Sequence, residues 1–317
     1  MGAALRSLAL RVPVPAGLVS LWHFSRPHTL LGTTISILGI YAIAAAELPA
    51  LTFGGGIADL ALTLLAGAAV NVYIVGLNQC EDVELDRINK PYLPIPAGEL
   101  SLGRARLIVT ASGALALALA ATQGWVEIAA VLAAMAIGTV YSTPPLHLKR
   151  RPALAAASIS IVRAAVVNIG VYEHFAASLG GRDEISPLPG PIVALTLFVL
   201  PFSFAIAVLK DVPDMRGDRR FSIATFTVRL GPRRAFAMGM AALAVAYLGM
   251  AVLGPIALPE ADPWVLAGSQ VIALVLLSRW ALATDPHDPE RFAGFYMRVW
   301  ALFILQYLAM PAALLAG

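Results

Sequence analysis

The sequence predicts an all-α, polytopic membrane protein with nine transmembrane helices. Three observations predict this class. Apolar residues make up 59% of the chain and charged residues only 13%, the mean hydropathy is +0.80, and apolar runs of about 20 residues recur along the chain. A soluble helical bundle is disfavoured because its core helices rarely stay uncharged over such a length. Cys80 is the one cysteine, so no internal disulfide is expected.

Nine apolar runs are each long enough to cross a hydrocarbon core of about 30 Å as a helix, the form that satisfies its own backbone in lipid. Pro and Gly mark several boundaries, as in STPPLH after the fourth run and LGPR before the seventh, which indicates turns. We expect a single transmembrane domain over 1–317. The predicted spans are residues 30–48, 57–79, 104–122, 125–143, 153–174, 190–209, 234–257, 263–283 and 293–316.

The basic residues predict the orientation of the spans. Nineteen of the 22 Lys and Arg residues lie in the N-terminal segment or in the loops that follow spans two, four, six and eight. The exceptions are Arg163 and Arg298 inside spans and Arg182 in an opposite loop. This asymmetry places the N-terminus in the cytoplasm and the C-terminus outside a bacterial-type inner or plasma membrane. The first twenty residues are expected to be a cytoplasmic lead-in, not a signal peptide, because prolines interrupt their short apolar patch.

Charge is concentrated in a stretch directly after the second span, NQCEDVELDRINKPYLPIPAGELS, residues 78–101. Within it Asn78, Asp82 and Asp86 are spaced i, i+4, i+8. If the second span continues as a helix, these three side chains project from one face. The sequence therefore predicts a polar row at the cytoplasmic end of a membrane helix.

A second acidic set follows the sixth span in KDVPDMRGDRRFS, where Asp211, Asp214 and Asp218 are spaced i, i+3, i+7. Two acidic rows would repel each other if they met without cations between them. Hard oxygen ligands of this kind suit Mg²⁺, which takes one or two carboxylates together with substrate phosphates. The neighbouring Lys and Arg residues are placed to bind the remaining phosphate oxygens. The pattern thus predicts a diphosphate held by Mg²⁺ at the membrane surface.

Two other interpretations of the acidic rows are less favoured. A mixed cluster of charges in a cytoplasmic loop is ordinarily a solvated loop with weak ion pairs. Two such clusters with helical spacing, each at the end of an apolar span, weigh against that, since ionisable groups at membrane depth are usually functional. A secondary transporter would place its ion-coupling sites near the bilayer midplane instead. No nucleic-acid partner is expected.

These motifs resemble those of a known family. The first stretch resembles the first Asp-rich motif of the UbiA superfamily of intramembrane prenyltransferases, N-D-x-x-D-x-x-x-D, and KDVPDMRGDRRFSIATFTVRLG is similar to the second, D-x-x-x-D. The segments FSRPHTLLGT and YSTPPLHLKR also resemble family segments, so the likeness covers nearly the whole chain. Gln79 replaces the second Asp of the general motif. With this change, and with VRAAVVNIGVYEHF, the chain is similar to the homogentisate prenyltransferases that transfer phytyl, geranylgeranyl or solanesyl groups.

The resemblance implies Mg²⁺-dependent transfer of a prenyl group from an allylic diphosphate to an aromatic acceptor such as homogentisate, in quinone or tocopherol biosynthesis. Two alternatives within the family stay open: transfer to another acceptor, and a terpene cyclase with the same metal site and no acceptor. The implied metal ligands are Asn78, Asp82, Asp86, Asp214 and Asp218, with Asp211 completing the catalytic set. The implied diphosphate contacts are Arg26, Lys90, Lys149 and Lys210.

Three polar residues within the spans, Arg163, Tyr141 and Asn168, are further candidates for contact with the substrates. An intramembrane arginine needs a partner in the bundle interior or a polar cavity. Arg163 is therefore either a ligand of the acceptor carboxylate or of the diphosphate, or one half of a structural ion pair. Asn168 and His174 also fit roles in helix packing.

Overall fold

A computed structural model describes residues 15–48, 56–180 and 187–317, and its regular structure in these ranges is helical. Three basic residues that entered the orientation argument, Arg6, Arg11 and Arg182, lie outside the described residues. The helices are α1 (Ala16–Phe24), α2 (Pro27–Glu47), α3 (Ile57–Glu81), α4 (Val83–Asn89), α5 (Leu102–Ala121), α6 (Trp125–Ser142), α7 (Pro152–Leu179), α8 (Gly190–Leu209), α9 (Met215–Arg220), α10 (Phe226–Leu230), α11 (Pro232–Ala257), α12 (Pro263–Leu282) and α13 (Pro289–Ala316).

In the described part of the chain, nine helices are long and apolar enough to cross a membrane: α2, α3, α5, α6, α7, α8, α11, α12 and α13. Each coincides with a predicted span to within five residues at both ends, which confirms the fold class. Five of them begin at a proline, because the first helical residue has no intrahelical partner for its N–H. These prolines are Pro27, Pro152, Pro232, Pro263 and Pro289.

The nine spans form a closed ring of neighbours. Each span packs against the next along the chain, and α13 returns to pack against α2. The most enclosed span is α8, which contacts α7, α11 and α13. The largest buried apolar cluster lies between these helices. Large apolar side chains cover the outside of the bundle, among them Leu107, Val245, Ile256, Trp264 and Leu282. Such a surface matches lipid and identifies an integral membrane protein.

The fifth span, α7, changes its helical geometry in the middle. Residues Ile161–Gly170 are π-helical, between α-helical segments on either side. A π-helical turn is wider than an α-helical one, and such segments are frequent at functional sites. This segment carries Arg163 and Asn168.

Candidate active site

A cavity of about 990 Å³ lies inside the ring of spans. The candidate residues come from six different parts of the chain, yet all of them except Asn168 line this cavity: Arg26, Asn78, Asp82, Asp86, Lys90, Tyr141, Lys149, Arg163, Lys210, Asp211, Asp214 and Asp218. The chain has three lysines, and all three are among them. The fold thus brings both acidic segments to one place.

The first acidic segment departs from the continuous helix that its spacing predicts. Helix α3 ends at Glu81, Asp82 has non-helical backbone angles, and α4 begins at the next residue. The i to i+4 backbone hydrogen bonds survive this break: the Asp82 N–H donates to Asn78, and the Asp86 N–H donates to Asp82. The three side chains therefore stay on the cavity side although the helix is interrupted.

A chain of hydrogen bonds orients the start of this segment. The Asn78 amide donates from Nδ2 to Oδ2 of Asp82 over 2.9 Å. Arg26 in turn donates from Nη2 to Oδ1 of Asn78 over 3.4 Å. Arg26 has a φ of +49°, a left-handed conformation that is uncommon for a residue other than glycine. The predicted diphosphate contact and the predicted metal ligand are thus neighbours.

The second acidic segment does not form one helical face either. Asp211 lies in a turn after α8, Asp214 precedes the six-residue helix α9, and Asp218 lies within α9. All three are largely buried, and all three line the cavity. Helix α9, which carries Asp218, packs against α4 of the first acidic segment and against α10.

Each lysine of the cavity lies beside one carboxylate. Lys149 contacts Asp82 at 2.5 Å, and Lys210 contacts its neighbour Asp211 at 2.5 Å. Lys90 of the first acidic segment pairs with Asp214 of the second, across 124 residues of sequence. These pairs keep the buried charges close to neutral, because an unpaired charge in such a place is costly.

Burial raises the pKa of Asp86 and Asp218, the two aspartates of the acidic segments that form no ion pair with a lysine in the described part of the chain. The pKa of Asp86 rises to about 6, mainly through burial, with the carboxylates of Asp82 and Asp214 adding to the shift. The pKa of Asp218 rises to about 7 for the same reason, with Asp211 and Asp214 as its acidic neighbours. Both groups gain a proton at a pH close to neutrality.

The oxygen-rich lining fits a hard divalent cation, but the side chains are not gathered around a single point. In the described ranges no three Asp, Glu, His or Cys side chains lie close enough to hold a metal ion together. The Oδ2 atom of Asp86 is buried and has no hydrogen-bond partner in that part of the chain. Such an orphaned acceptor, in a set of carboxylates, suits Mg²⁺. The metal ligand set therefore stays a prediction.

Sequence reasoning missed Asn89, which connects the two acidic segments. Its Oδ1 accepts a 2.9 Å hydrogen bond from the Gly217 N–H, and its Nδ2 donates to Oδ1 of Asp218 over 3.4 Å. The signal was present, since Asn89 follows Asp86 by three residues and so continues the helical row. Asn89 positions the carboxylate of Asp218.

Gln79, which departs from the general motif, has a structural contact. It is fully buried and donates from Nε2 to the carbonyl oxygens of Phe24 and Val75, at 2.7 and 3.1 Å. It does not line the cavity. The residue ties α3 to the end of α1 and does not point toward the candidate ligands.

The three candidates within the spans have different surroundings. Tyr141 lies beside Lys210 in the cavity wall. The Asn168 side chain is fully buried outside the lining and accepts a 2.7 Å hydrogen bond from the Tyr307 hydroxyl, which indicates helix packing. The guanidinium of Arg163 faces the cavity and lies over the ring of Trp300, with Cζ 4.5 Å from the ring centre.

Comparison with known proteins places this geometry in a family. The model of the UbiA prenyltransferase family matches residues 14–302. A homogentisate phytyltransferase of Synechocystis sp. is 41% identical over 308 residues, which is 94% of this chain and 96% of the relative. A chloroplastic homogentisate solanesyltransferase of Arabidopsis thaliana is 36% identical over 92% of this chain and 75% of its own length.

The fold has relatives among solved structures. A UbiA homolog from Archaeoglobus fulgidus bound to DMAPP and Mg²⁺ superposes with a TM-score of 0.63 at 20% identity, over 92% of this chain and 99% of the homolog. The matches confirm the resemblance that the Asp-rich motifs indicated. Because the family match covers most of the residues and is joined by close relatives, this chain is a membrane prenyltransferase and belongs to the UbiA prenyltransferase family.

Proposed function

We propose that this enzyme transfers a prenyl group from an allylic prenyl diphosphate to homogentisate or a related phenolic acid, with Mg²⁺ as its cofactor. The observation that carries the proposal is that both acidic segments and all three lysines line one cavity, whose remaining wall is mostly apolar. Relatives named as homogentisate phytyl- and solanesyltransferases, at 41% and 36% identity, support the acceptor class. A homolog of the same fold was solved with DMAPP and Mg²⁺, which supports the donor and the metal.

The proposed metal ligands are the oxygen atoms of Asn78, Asp82, Asp86, Asp214 and Asp218, with Asp211 beside them. When bound, Mg²⁺ stabilises the negative charge that develops on the diphosphate as the allylic C–O bond breaks. Among the proposed ligands in the described part of the chain, Oδ2 of Asp86 is buried without a hydrogen-bond partner, and a bound cation would satisfy it. Asn89 holds Asp218 in place through the hydrogen bond between their side chains.

The proposed diphosphate contacts are Arg26, Lys90, Lys149 and Lys210. To reach a phosphate oxygen, each lysine gives up its present carboxylate and forms another charge-assisted hydrogen bond. Each lysine therefore keeps a partner of opposite charge in a partly dry site when it moves from the carboxylate to the phosphate. The exchange also leaves the carboxylates free to bind a metal at the moment the diphosphate arrives.

The apolar part of the cavity suits the isoprenoid chain. Ile37, Val70, Ile74, Val131 and Val167 contribute to this wall, from four different spans. A wall of this kind holds the hydrocarbon by burial and keeps water away from an allyl cation. The cation then forms a carbon–carbon bond to the electron-rich phenol ring, and loss of the proton from that ring carbon restores aromaticity. When homogentisate is the acceptor, its acetate side chain also loses carbon dioxide and takes up a proton, which leaves a methyl group.

In the proposed orientation the acidic segments face the cytoplasm. This follows from the excess of Lys and Arg in the loops at that end of the bundle. The donor and acceptor would both enter from that side, and the C-terminus would lie outside the plasma membrane.

The test is incubation of the purified protein with Mg²⁺, phytyl or geranylgeranyl diphosphate and a panel of phenolic acids, with products identified by mass spectrometry. We expect a prenylated, decarboxylated product from homogentisate and none when EDTA replaces Mg²⁺. A hydrocarbon formed without any acceptor would instead indicate a terpene cyclase. Transfer to hydroxybenzoate but not homogentisate would reject the proposed acceptor.

A further inference from the structure

Arg163 is a cation within a membrane span and lines the cavity. Its side chain faces the cavity, and in the described ranges of the chain it forms no ion pair with a carboxylate. All three lysines of the cavity, by contrast, are paired. A guanidinium at membrane depth is costly unless it has a partner or a polar cavity. The structural ion pair considered for this residue is therefore absent from the described part, and the side chain is open to an anion that enters the cavity.

Aromatic rings hold this guanidinium in place. Its Cζ lies 4.5 Å from the ring centre of Trp300 and 5.4 Å from that of Phe303. Trp300 is itself fixed: the His28 ring meets it edge-on at 5.1 Å, and a Cβ on Gly32 would lie 2.7 Å from the indole. When the central carbon of a guanidinium lies over an aromatic ring, its N–H groups stay free at the edge. They can then donate two hydrogen bonds to a planar, bidentate acceptor.

Arg163 has different surroundings from the lysines of the cavity. The Lys149–Asp82 contact holds the beginning of α7 at the level of the acidic segments. Arg163 follows Pro152, where α7 begins, by eleven residues. At a rise of 1.5 Å per residue its backbone lies roughly 16 Å along α7 from that proline. The three lysines lie beside carboxylates of the acidic segments, whereas the Arg163 guanidinium lies within an aromatic wall formed with Tyr296, Trp300 and Phe303.

From this arrangement we propose that Arg163 binds the carboxylate of an aromatic acid acceptor, whose ring lies against the aromatic wall around Trp300. A carboxylate is planar and pairs with a guanidinium through two parallel hydrogen bonds, which a single lysine cannot reproduce. The subsite selects acids over neutral phenols of the same shape. The inference rests on the proposed function in one respect, since the acceptor is the second substrate of that same cavity.

The experiment compares Arg163→Met with Arg298→Met. Arg298 is the matched control, because it also lies in a membrane span with its guanidinium over a ring, that of Trp280 at 5.5 Å, but does not line the cavity. Binding of homogentisate and of its methyl ester is measured by calorimetry in detergent micelles without any diphosphate. We expect Arg163→Met to weaken binding of the acid roughly 10- to 100-fold, the range for a hydrogen bond to a charged group, and to change binding of the ester less than about twofold. Arg298→Met should leave both unchanged.

Kinetic constants provide the second measurement. Arg163→Met should raise KM for homogentisate and leave KM for the prenyl diphosphate within about twofold of the parent. An equal loss of binding for acid and ester, or a raised KM for the diphosphate alone, would overturn the carboxylate subsite. If Arg163→Met does not fold, Arg163→Lys serves instead: it keeps the charge but not the planar fork, so the preference for acid over ester should fall several-fold. An unchanged preference in that variant overturns the subsite too.

The two proposals fail in different ways. Turnover of homogentisate with unchanged preference for the acid in Arg163→Met would retain the prenyltransferase assignment and reject the subsite. Acid-selective binding that Arg163→Met abolishes, without turnover of homogentisate in the parent, would retain the subsite and reject homogentisate as the acceptor. A parent protein that does not bind homogentisate more tightly than its ester would reject the subsite directly.

Discussion

Lys149 and Asp82, 67 residues apart in sequence, are joined by a 2.5 Å contact between Nζ and Oδ1. The lysine side chain is 7% exposed and the carboxylate 12%. The contact holds the segment before α7 against the end of α3, so it fixes the mouth of the cavity. It also joins a residue proposed to hold phosphate to a residue proposed to hold metal. Binding of a metal diphosphate would give each of them a new partner of the opposite charge.

Removal of a carboxylate should stop prenyl transfer. We expect Asp82→Asn and Asp214→Asn each to lower kcat by about 10²- to 10³-fold, the usual cost of losing one group that stabilises developing charge. Asp82→Asn should also lower the melting temperature, because Lys149 loses its anion in a buried place. Turnover is measured at saturating Mg²⁺. Glu84→Gln is the control, since that side chain is 65% exposed and pairs with Arg87 on the surface. Normal turnover in either aspartate variant would reject the metal site.

The lysines should act on the diphosphate and not on the metal. Replacing Lys90, Lys149 or Lys210 with Met removes a charge-assisted hydrogen bond, so KM for the prenyl diphosphate should rise, or kcat should fall where the contact strengthens as the bond breaks. Kinetics with varied diphosphate at fixed Mg²⁺ measure both. Arg150→Met is the control for Lys149, because Arg150 is exposed and does not line the cavity. Changes below about twofold in all three variants, under roughly 0.4 kcal/mol, would show that these lysines only mark topology.

Mg²⁺ affinity should increase with pH between about 5.5 and 8. The pKa values of Asp86 and Asp218 are raised to about 6 and about 7, so protons compete with the metal below neutrality. Calorimetric titration of the protein with Mg²⁺ at several pH values measures this directly. In the Asp218→Asn variant, the increase in Mg²⁺ affinity near pH 7 should disappear, because the group with a pKa of about 7 is removed. An affinity that is flat across this range would place the metal elsewhere.

The free energy of unfolding of the metal-free protein should decrease as the pH rises, whereas the Mg²⁺ affinity increases. Both folded-state pKa values lie above the ordinary 3.8 of an aspartate, so the folded form binds more protons than the unfolded form between about pH 4 and pH 7. The free energy of unfolding therefore falls as the pH rises through that window. Chemical denaturation in micelles, with EDTA present, checks the sign.

Asn89 should affect the metal through Asp218. We expect Asn89→Ala to weaken Mg²⁺ binding about 10- to 100-fold, the usual cost of losing a hydrogen bond to a metal ligand. Gly217→Ala should also weaken Mg²⁺ binding, because a Cβ there would lie 2.6 Å from Cγ of Asn89 and displace that side chain. Gly103→Ala is its control, since a Cβ at that position meets open space. Mg²⁺ titration of the three variants gives the comparison. Equal affinities would show that Asn89 only joins the two loops.

The orientation of the bundle can be tested with tags. Tags inserted at Arg104 and Arg220, both exposed, should be reachable only from the cytoplasmic side, and one after Gly317 only from outside. Protease protection in inverted and right-side-out vesicles distinguishes the two sides. A C-terminal tag on the cytoplasmic side would contradict an odd number of membrane crossings.

The span boundaries could be predicted from the sequence because the reasons for them are local. Each membrane helix satisfies its own backbone and must be apolar over its length, so hydropathy alone places α8 at the residues where the structure has it. The spacing of Asn78, Asp82 and Asp86 likewise predicted a shared polar side. It missed the helix break at Asp82, where the chain turns while keeping its hydrogen bonds.

The sequence could not predict which polar side chains contact each other across the bundle. Lys90 meets Asp214 across 124 residues, and Arg163 meets Trp300 instead of the carboxylate that an ion pair would need. Asn168 has the same polar character as Asn78, yet it does not line the cavity and instead accepts a hydrogen bond from Tyr307, which does. In lipid, one apolar helix face resembles another, so which spans become neighbours depends on close packing of whole surfaces. That packing, more than any local pattern, decides which polar side chains share a cavity.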